Sequence, residues 1–180
     1  VRNFAETPGA EIAAVADLDA NKLATVKRRF PAVHTTTNFN DLLHDPSVDA
    51  VAIATPVNTH YELAMAALKA GKHVWVEKPM TETVEQAQRL VEEAERRGKV
   101  LHVDHTFIYT GAVQKMAEII KADQLGKIYY YDSIRVNLGL FQRDVSVISD
   151  LAVHDFSILD HLFGEQPAAV GDQHAHAGVV

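Results

Sequence analysis

Ala70-Gly71-Lys72-His73-Val74-Trp75-Val76-Glu77-Lys78-Pro79 decides how the rest of the chain is read. Gly71 closes a helix, because a residue without Cβ enters the left-handed conformation that ends a last turn. Residues 72–76 then read as a short β-rich strand, with Glu77-Lys78-Pro79 at its end. Upstream, residues 59–70 are helical and residues 48–54 (VDAVAIA) form a second β-rich apolar run. Downstream, Thr83 and Gln86 make a capping box for a helix that turns Val84, Ala87, Leu90, Val91 and Ala94 inward. Gly98 ends that helix, and residues 100–103 are the next strand. Toward the start, residues 11–16 are a buried strand closing on Asp17, and Asp19 caps a helix that Pro31 stops. Residues 33–34 are a brief strand, and residues 39–43 a short helix halted at Asp45-Pro46. Strands alternating with helices predict right-handed βαβ crossovers and a doubly wound parallel α/β sheet.

After residue 103 the rhythm changes. A helix over residues 112–122 ends at Gly126, and residues 127–136 form a β-rich run containing Tyr129, Tyr130 and Tyr131. Residues 149–163 read as a helix closed by Gly164, and a strand-like tail starts at Ala168. The predicted domains are therefore 1–104 and 105–180. The chain opens without Met on what reads as the end of a helix, and it stops at Val180 without a turn. Both edges are expected to be cuts, making the chain a fragment of a longer protein.

Composition narrows the function. With 47% hydrophobic and 23% charged residues, 180 residues can bury a substantial core. The balance of 24 acidic and 17 basic residues, net −7, argues against nucleic acid, whose phosphates need a basic face. The absence of cysteine excludes disulfides, thiolate metal sites and a cysteine nucleophile. No apolar run approaches the ~20 residues of a membrane-spanning helix. The N-terminus lacks a signal-peptide layout, so the expected location is the cytoplasm.

Candidate site residues cluster at predicted strand ends, where open α/β sheets bind ligands. Asp17 is placed to accept hydrogen bonds from an adenosine ribose and to repel a 2′-phosphate, favouring NAD over NADP; alternatively it caps the following helix. Thr55, Pro56, Asn58 and His60 follow the 48–54 strand, with Asn58 also readable as a plain N-cap. Glu77 and Lys78 follow the next strand, where an ammonium could polarise a hydroxyl or carbonyl. Asp150 and His154 are four apart on a predicted helix, so a carboxylate could orient a general-base imidazole; a surface ion pair is the other reading. Asp155, Asp160 and His161 read as solvated or packing groups. His102 and His105 flank Asp104 at the crevice edge, and His174-Ala175-His176 is a two-ligand pattern too sparse for a metal site. No metal is expected.

Taken together, A-D-x-D (Asp17, Asp19), T-P-x-N-x-H (Thr55 to His60), A-G-K-H-V-x-x-E-K-P and D-x-x-x-H (Asp150, His154) resemble the Gfo/Idh/MocA oxidoreductases. This is the glucose-fructose oxidoreductase and inositol dehydrogenase family. The resemblance runs from Val1 to about Gly164. It implies a Rossmann domain over 1–104, missing its first strand and glycine-rich loop, then an α/β domain over 105–180 built on an open mixed sheet and cut at its C-terminus. It also implies a nicotinamide-dependent dehydrogenase acting on a carbinol of a sugar, sugar nucleotide or cyclitol. Asp17 would hold the ribose, while Thr55, Pro56, Asn58, His60, Glu77 and Lys78 line the cofactor. Lys78 would also polarise the reacting oxygen, and His154, steered by Asp150, exchange its proton. A homo-oligomer through the second-domain sheet is likewise implied. The chain departs from the family at Ile108, Gly111 and Ser157, where arginine, proline and an acidic residue are common. The stretch Asn137-Leu138-Gly139-Leu140-Phe141-Gln142 resembles members found with surface-polysaccharide synthesis and tilts the substrate toward a nucleotide sugar. The competing readings are a regulatory member that binds dinucleotide or sugar without turnover, and an inactive fragment.

Overall fold

The computed structural model describes residues 1–134 and 148–165, and the chain divides into two compact units, Val1–Asp104 and a second beginning at His105. In the first unit, a short helix α1 (Arg2–Ala5) precedes β1 (Ala14–Ala16), α2 (Ala20–Arg29), β2 (His34–Thr36) and α3 (Asn40–His44). Then come β3 (Ala50–Ile53), α4 (His60–Lys69), β4 (His73–Glu77), α5 (Val84–Arg97) and β5 (Leu101–Asp104). All pairings are parallel, as the crossover helices require. The strands form two ladders, β1-β2 and β3-β4-β5, rather than one continuous sheet. Among the described residues no strand pairs with the other edge of β1 or of β3.

The central strands bury one face each. Val51 and Ile53 of β3 and Val74 and Val76 of β4 point into the core, and Ala50 and Ala52 are exposed. The core face is filled by Ala64, Ala67 and Leu68 of α4 and Leu90 and Ala94 of α5. These helical positions recur at three- and four-residue steps, giving each helix one apolar stripe; Val84 and Val91 of α5, expected to point inward, are instead exposed because they lie beside that stripe and not on it. Ala13, Phe39 and Leu43 pack against the same core, tying the β1-β2 side to it.

The helix ends follow their sequence signals closely. Asp19 accepts the Asn21 N–H at 2.8 Å, and Thr83 accepts the Gln86 N–H at 3.3 Å. The Gln86 side chain returns to the Glu82 N–H at 3.2 Å, one residue before the N-cap. Gly71, at φ 78°, lets its own N–H reach Leu68 O and the Lys72 N–H reach Ala67 O, the paired bonds of a Schellman ending.

The second unit is helical among its described residues. Helix α6 (Gly111–Lys121) packs against α7 (Val153–Phe163) through Val113, Ile158 and Leu162. Two expectations change here. The predicted helix 149–163 is not α-helical throughout: Ile148–Ala152 winds as a π-helix before α7 begins. The β-rich run 127–136 is irregular over 127–134, with Tyr129 and Tyr130 exposed. A strand needs a hydrogen-bonded neighbour, and none is present among the described residues. The tail from Ala168, the pair His174 and His176, and the stretch from Asn137 to Gln142 lie outside the described residues.

Candidate active site

The register Ile53↔Val76 and Glu77↔Asp104 aligns the carboxyl ends of β3, β4 and β5 along one sheet edge. Everything that follows those strands within the first unit therefore emerges on the same side. After β3 come Thr55, Pro56 and Asn58, all exposed. Asn58 does not cap α4: it sits inside a 3₁₀ turn, Val57–Thr59, and Thr59 precedes the helix. The Thr59 hydroxyl donates instead to Pro56 O at 2.7 Å and lies 2.6 Å from the Thr55 hydroxyl, so the loop is braced from within. Asn58 itself is exposed.

His60 was expected to line the cofactor. It is 1% exposed, with Nε2 2.8 Å from Thr55 O and Nδ1 2.9 Å from Pro79 O. Both ring nitrogens are engaged by backbone. After β4, Glu77, Lys78 and Pro79 are half-buried, and the Lys78-Pro79 peptide is cis. Burial raises the Glu77 pKa above its ordinary value, and the facing Asp104 carboxylate raises it further by charge and by a hydrogen bond. The Lys78 backbone N–H and the Lys78 ammonium oppose that rise.

Asp17 ends β1, where its backbone N–H donates to Thr36 O at 3.2 Å. Its Oδ1 accepts the Asp19 N–H at 2.8 Å, its Oδ2 lies 3.7 Å from Lys22 Nζ, and its side chain stays 35% exposed. Asp19, not Asp17, caps the helix, so the Asp17 carboxylate keeps an accessible acceptor for vicinal ribose hydroxyls. An exposed carboxylate acceptor at this strand end fits what the ribose hydroxyls of a dinucleotide would need.

In the second unit, Asp150 lies in the π-helical turn and His154 in the first turn of α7. A turn closed by i→i+5 bonds is rare and occurs frequently at functional sites. His154 is 8% exposed, with the Phe107 ring 4.7 Å away edge-on. Its carbonyl accepts the Ser157 hydroxyl at 2.7 Å. Asp155 accepts the Ser133 hydroxyl at 2.7 Å, which makes it a tether for the preceding segment. His161 is exposed, 3.3 Å from the Gln114 amide. Among the described residues no cluster of His, Asp and Glu could hold a metal, and no helix is long and apolar enough to cross a membrane.

Sequence reasoning alone missed what Lys72 and His73 do. Lys72 is 8% exposed and donates from Nζ to Asp45 O at 2.7 Å, while His73 Nδ1 accepts the Val100 N–H at 2.9 Å. Both side chains stitch β4 to neighbouring segments, so the front of the A-G-K-H-V-x-x-E-K-P stretch builds the fold and its rear lies at the carboxyl edge of the sheet. A lysine directly before a strand whose core-facing positions, Val74 and Val76, are apolar was the available signal.

A parallel α/β unit with polar side chains gathered at its strand ends, and an acceptor carboxylate at the end of β1, is of the dinucleotide-binding class. The chain belongs to the Gfo/Idh/MocA family of oxidoreductases, with an NAD-binding Rossmann fold, whose family model matches residues 1–105. It is 38% identical over 130 residues to the uncharacterised oxidoreductase YdgJ of Escherichia coli, covering 72% of this chain and 37% of that protein. It is 27% identical over 168 residues to the NAD(+)-linked scyllo-inositol 2-dehydrogenase of Bacillus subtilis, covering 91% of this chain and 49% of that one. Among solved structures, an NAD-binding protein from Listeria innocua aligns with a TM-score of 0.74 at 26% identity, over 88% of this chain and 49% of that one. The chain thus spans about half or less of the length of these relatives.

Proposed function

We propose that the protein carrying this chain is a nicotinamide-dependent dehydrogenase of a secondary alcohol on a sugar, sugar nucleotide or cyclitol. The observation that carries the reading is Lys78 at the carboxyl end of β4, within a chain that belongs to this oxidoreductase family. The likeness to a scyllo-inositol 2-dehydrogenase supports a polyhydroxylated ring as substrate. In this reading residues 1–104 hold the dinucleotide, and residues 105–180 contribute to substrate binding and to a homo-oligomer.

Asp17 would hold the adenosine ribose, with Thr55, Pro56, Asn58 and Glu77 along the rest of the dinucleotide. When bound, that group supplies the hydride exchange. Oxidising a carbinol removes a hydride from carbon and a proton from oxygen. Lys78 donates a hydrogen bond from its ammonium to that oxygen and stabilises the negative charge that develops there. His154 takes the proton at an imidazole nitrogen, and Asp150 orients the ring. In the reverse direction the same ring returns the proton to a carbonyl oxygen. The Asp17 carboxylate would repel a 2′-phosphate, so NAD is the preferred form.

The test is Lys78→Met in the complete polypeptide, assayed by dinucleotide absorbance on a panel of inositols, sugars and sugar nucleotides. Turnover should fall roughly 10²–10⁴-fold, the range for loss of a proton-transfer or polarising group. Parental turnover in the variant, or tight sugar binding with no turnover by the parent, would overturn the reading.

A further inference from the structure

We infer that His60 is a positioning residue that locks the loop after β3 to the loop carrying Lys78, and thereby sets where the Lys78 ammonium stands. His60 is the first residue of α4 and heads its buried stripe, followed by Ala64, Ala67 and Leu68. That stripe is seated in the core, so the imidazole stands on a rigid base. From there it reaches backward to Thr55 O at 2.8 Å and forward to Pro79 O at 2.9 Å. Pro79 directly follows Lys78. Because β3 and β4 are paired neighbours, the two loops leave the same edge side by side, and the ring spans them.

The chemistry of the contact is specific. Carbonyl oxygens only accept, so a ring nitrogen holds its loop only by donating an N–H to it. A neutral imidazole has one N–H and holds one loop, whereas a ring carrying both protons holds both. The loop after β3 is braced by Thr59 as well, so the bond to Pro79 O is the one by which His60 ties the Lys78 loop to it. With both ring nitrogens turned to backbone, His60 acts through Lys78 rather than on the dinucleotide. A displacement of about 1 Å at a reacting group is enough to cost roughly 10²-fold in rate.

The inference rests on the role proposed for Lys78, and a double-mutant cycle in the complete polypeptide tests the two separately. Asparagine can place its amide nitrogen near the His60 Nδ1 position, and glutamine near the Nε2 position. His60→Asn therefore keeps a donor for Pro79 O, and His60→Gln keeps one for Thr55 O. His60→Gln should lower kcat roughly 10- to 100-fold with little change in the KM for dinucleotide, and His60→Asn should retain more of the rate. In a Lys78→Met background neither substitution should lower kcat further. Losses that multiply in that background, or equal losses in the two variants, would overturn the clamp and leave the proposed function standing. A raised KM for dinucleotide with unchanged kcat would also overturn it, since that marks direct cofactor contact. Parental turnover in Lys78→Met would overturn both. Should the His60 variants fail to fold, amide exchange in the parent protein decides: residues 57–59 and 80–83 should open together, and independent opening would refute the clamp.

Discussion

Lys72→Met separates the two halves of the stretch that runs from Ala70 to Pro79. Lys72 is 8% exposed and its Nζ donates to Asp45 O at 2.7 Å, anchoring the end of α3 to the start of β4. A hydrogen bond from a charged donor contributes about 1.5–3 kcal/mol, and the deserted carbonyl adds a penalty if water cannot reach it. Methionine has a similar length and returns some apolar burial, which offsets part of the loss. The net destabilisation should be about 1–2 kcal/mol. For a unit of this size that lowers Tm by roughly 5–15 °C. Trp75 is the chain's single tryptophan and lies in β4, so its fluorescence reports unfolding of this unit directly. Lys78→Met, six residues on at the strand end, should cost less than about 1 kcal/mol while removing turnover. A Lys72→Met protein that melts with the parent would refute the anchoring role. A Lys78→Met protein that melts as low as Lys72→Met would refute the division of labour between the two lysines.

Leu90→Ala opens a cavity at a fully buried position of α5 and should cost about 3 kcal/mol, measured by urea melts, while Val91→Ala on the exposed side of the same helix should change stability by under about 0.5 kcal/mol. Glu77 is held above its ordinary pKa first by burial and then by Asp104. Its stabilising contribution is therefore complete below the ordinary glutamate pKa and lost as pH rises through the raised one. Asp104→Asn should move that loss of Tm to lower pH without abolishing it, because burial remains, and Glu77→Gln should abolish it. Asp17→Ser removes the carboxylate and leaves Lys22 near the ribose position, so the ratio of kcat/KM for NADP over NAD should rise. An unchanged ratio would show that Asp17 does not govern the choice.

Local signals translated well because their partners are close in sequence. Asp19, Thr83, Gly71 and Gly98 sit where the capping and left-handed endings require, each bonded within a few residues. Strand edges were less exact, since where a ladder stops depends on its neighbour: the apolar run 11–16 keeps only Ala14–Ala16 in register with β2. Burial of a strand face is likewise decided by its neighbours. Apolar composition gives the capacity for burial, but which face is covered depends on which helices pack there. Asn58 illustrates a local ambiguity that sequence could not resolve, because an intervening 3₁₀ turn moved the helix start to His60.

The site residues divide along the same line. Asp17 and Lys78 could be singled out because charge at the end of an apolar segment is visible in one dimension, and Asp150 and His154 because a four-residue spacing is. His60 and Lys72 could be noticed but not interpreted, because each acts on a carbonyl far away in sequence, Pro79 in one case and Asp45 in the other. Such contacts leave no trace in the acceptor's identity: any residue supplies a carbonyl. A buried histidine or lysine whose partner is backbone therefore reads from sequence as a ligand-binding group, although its side chain is already committed. In T-P-x-N-x-H, then, Thr55, Pro56 and Asn58 are the exposed side chains, while the His60 ring is turned to the backbone of its own and the neighbouring loop.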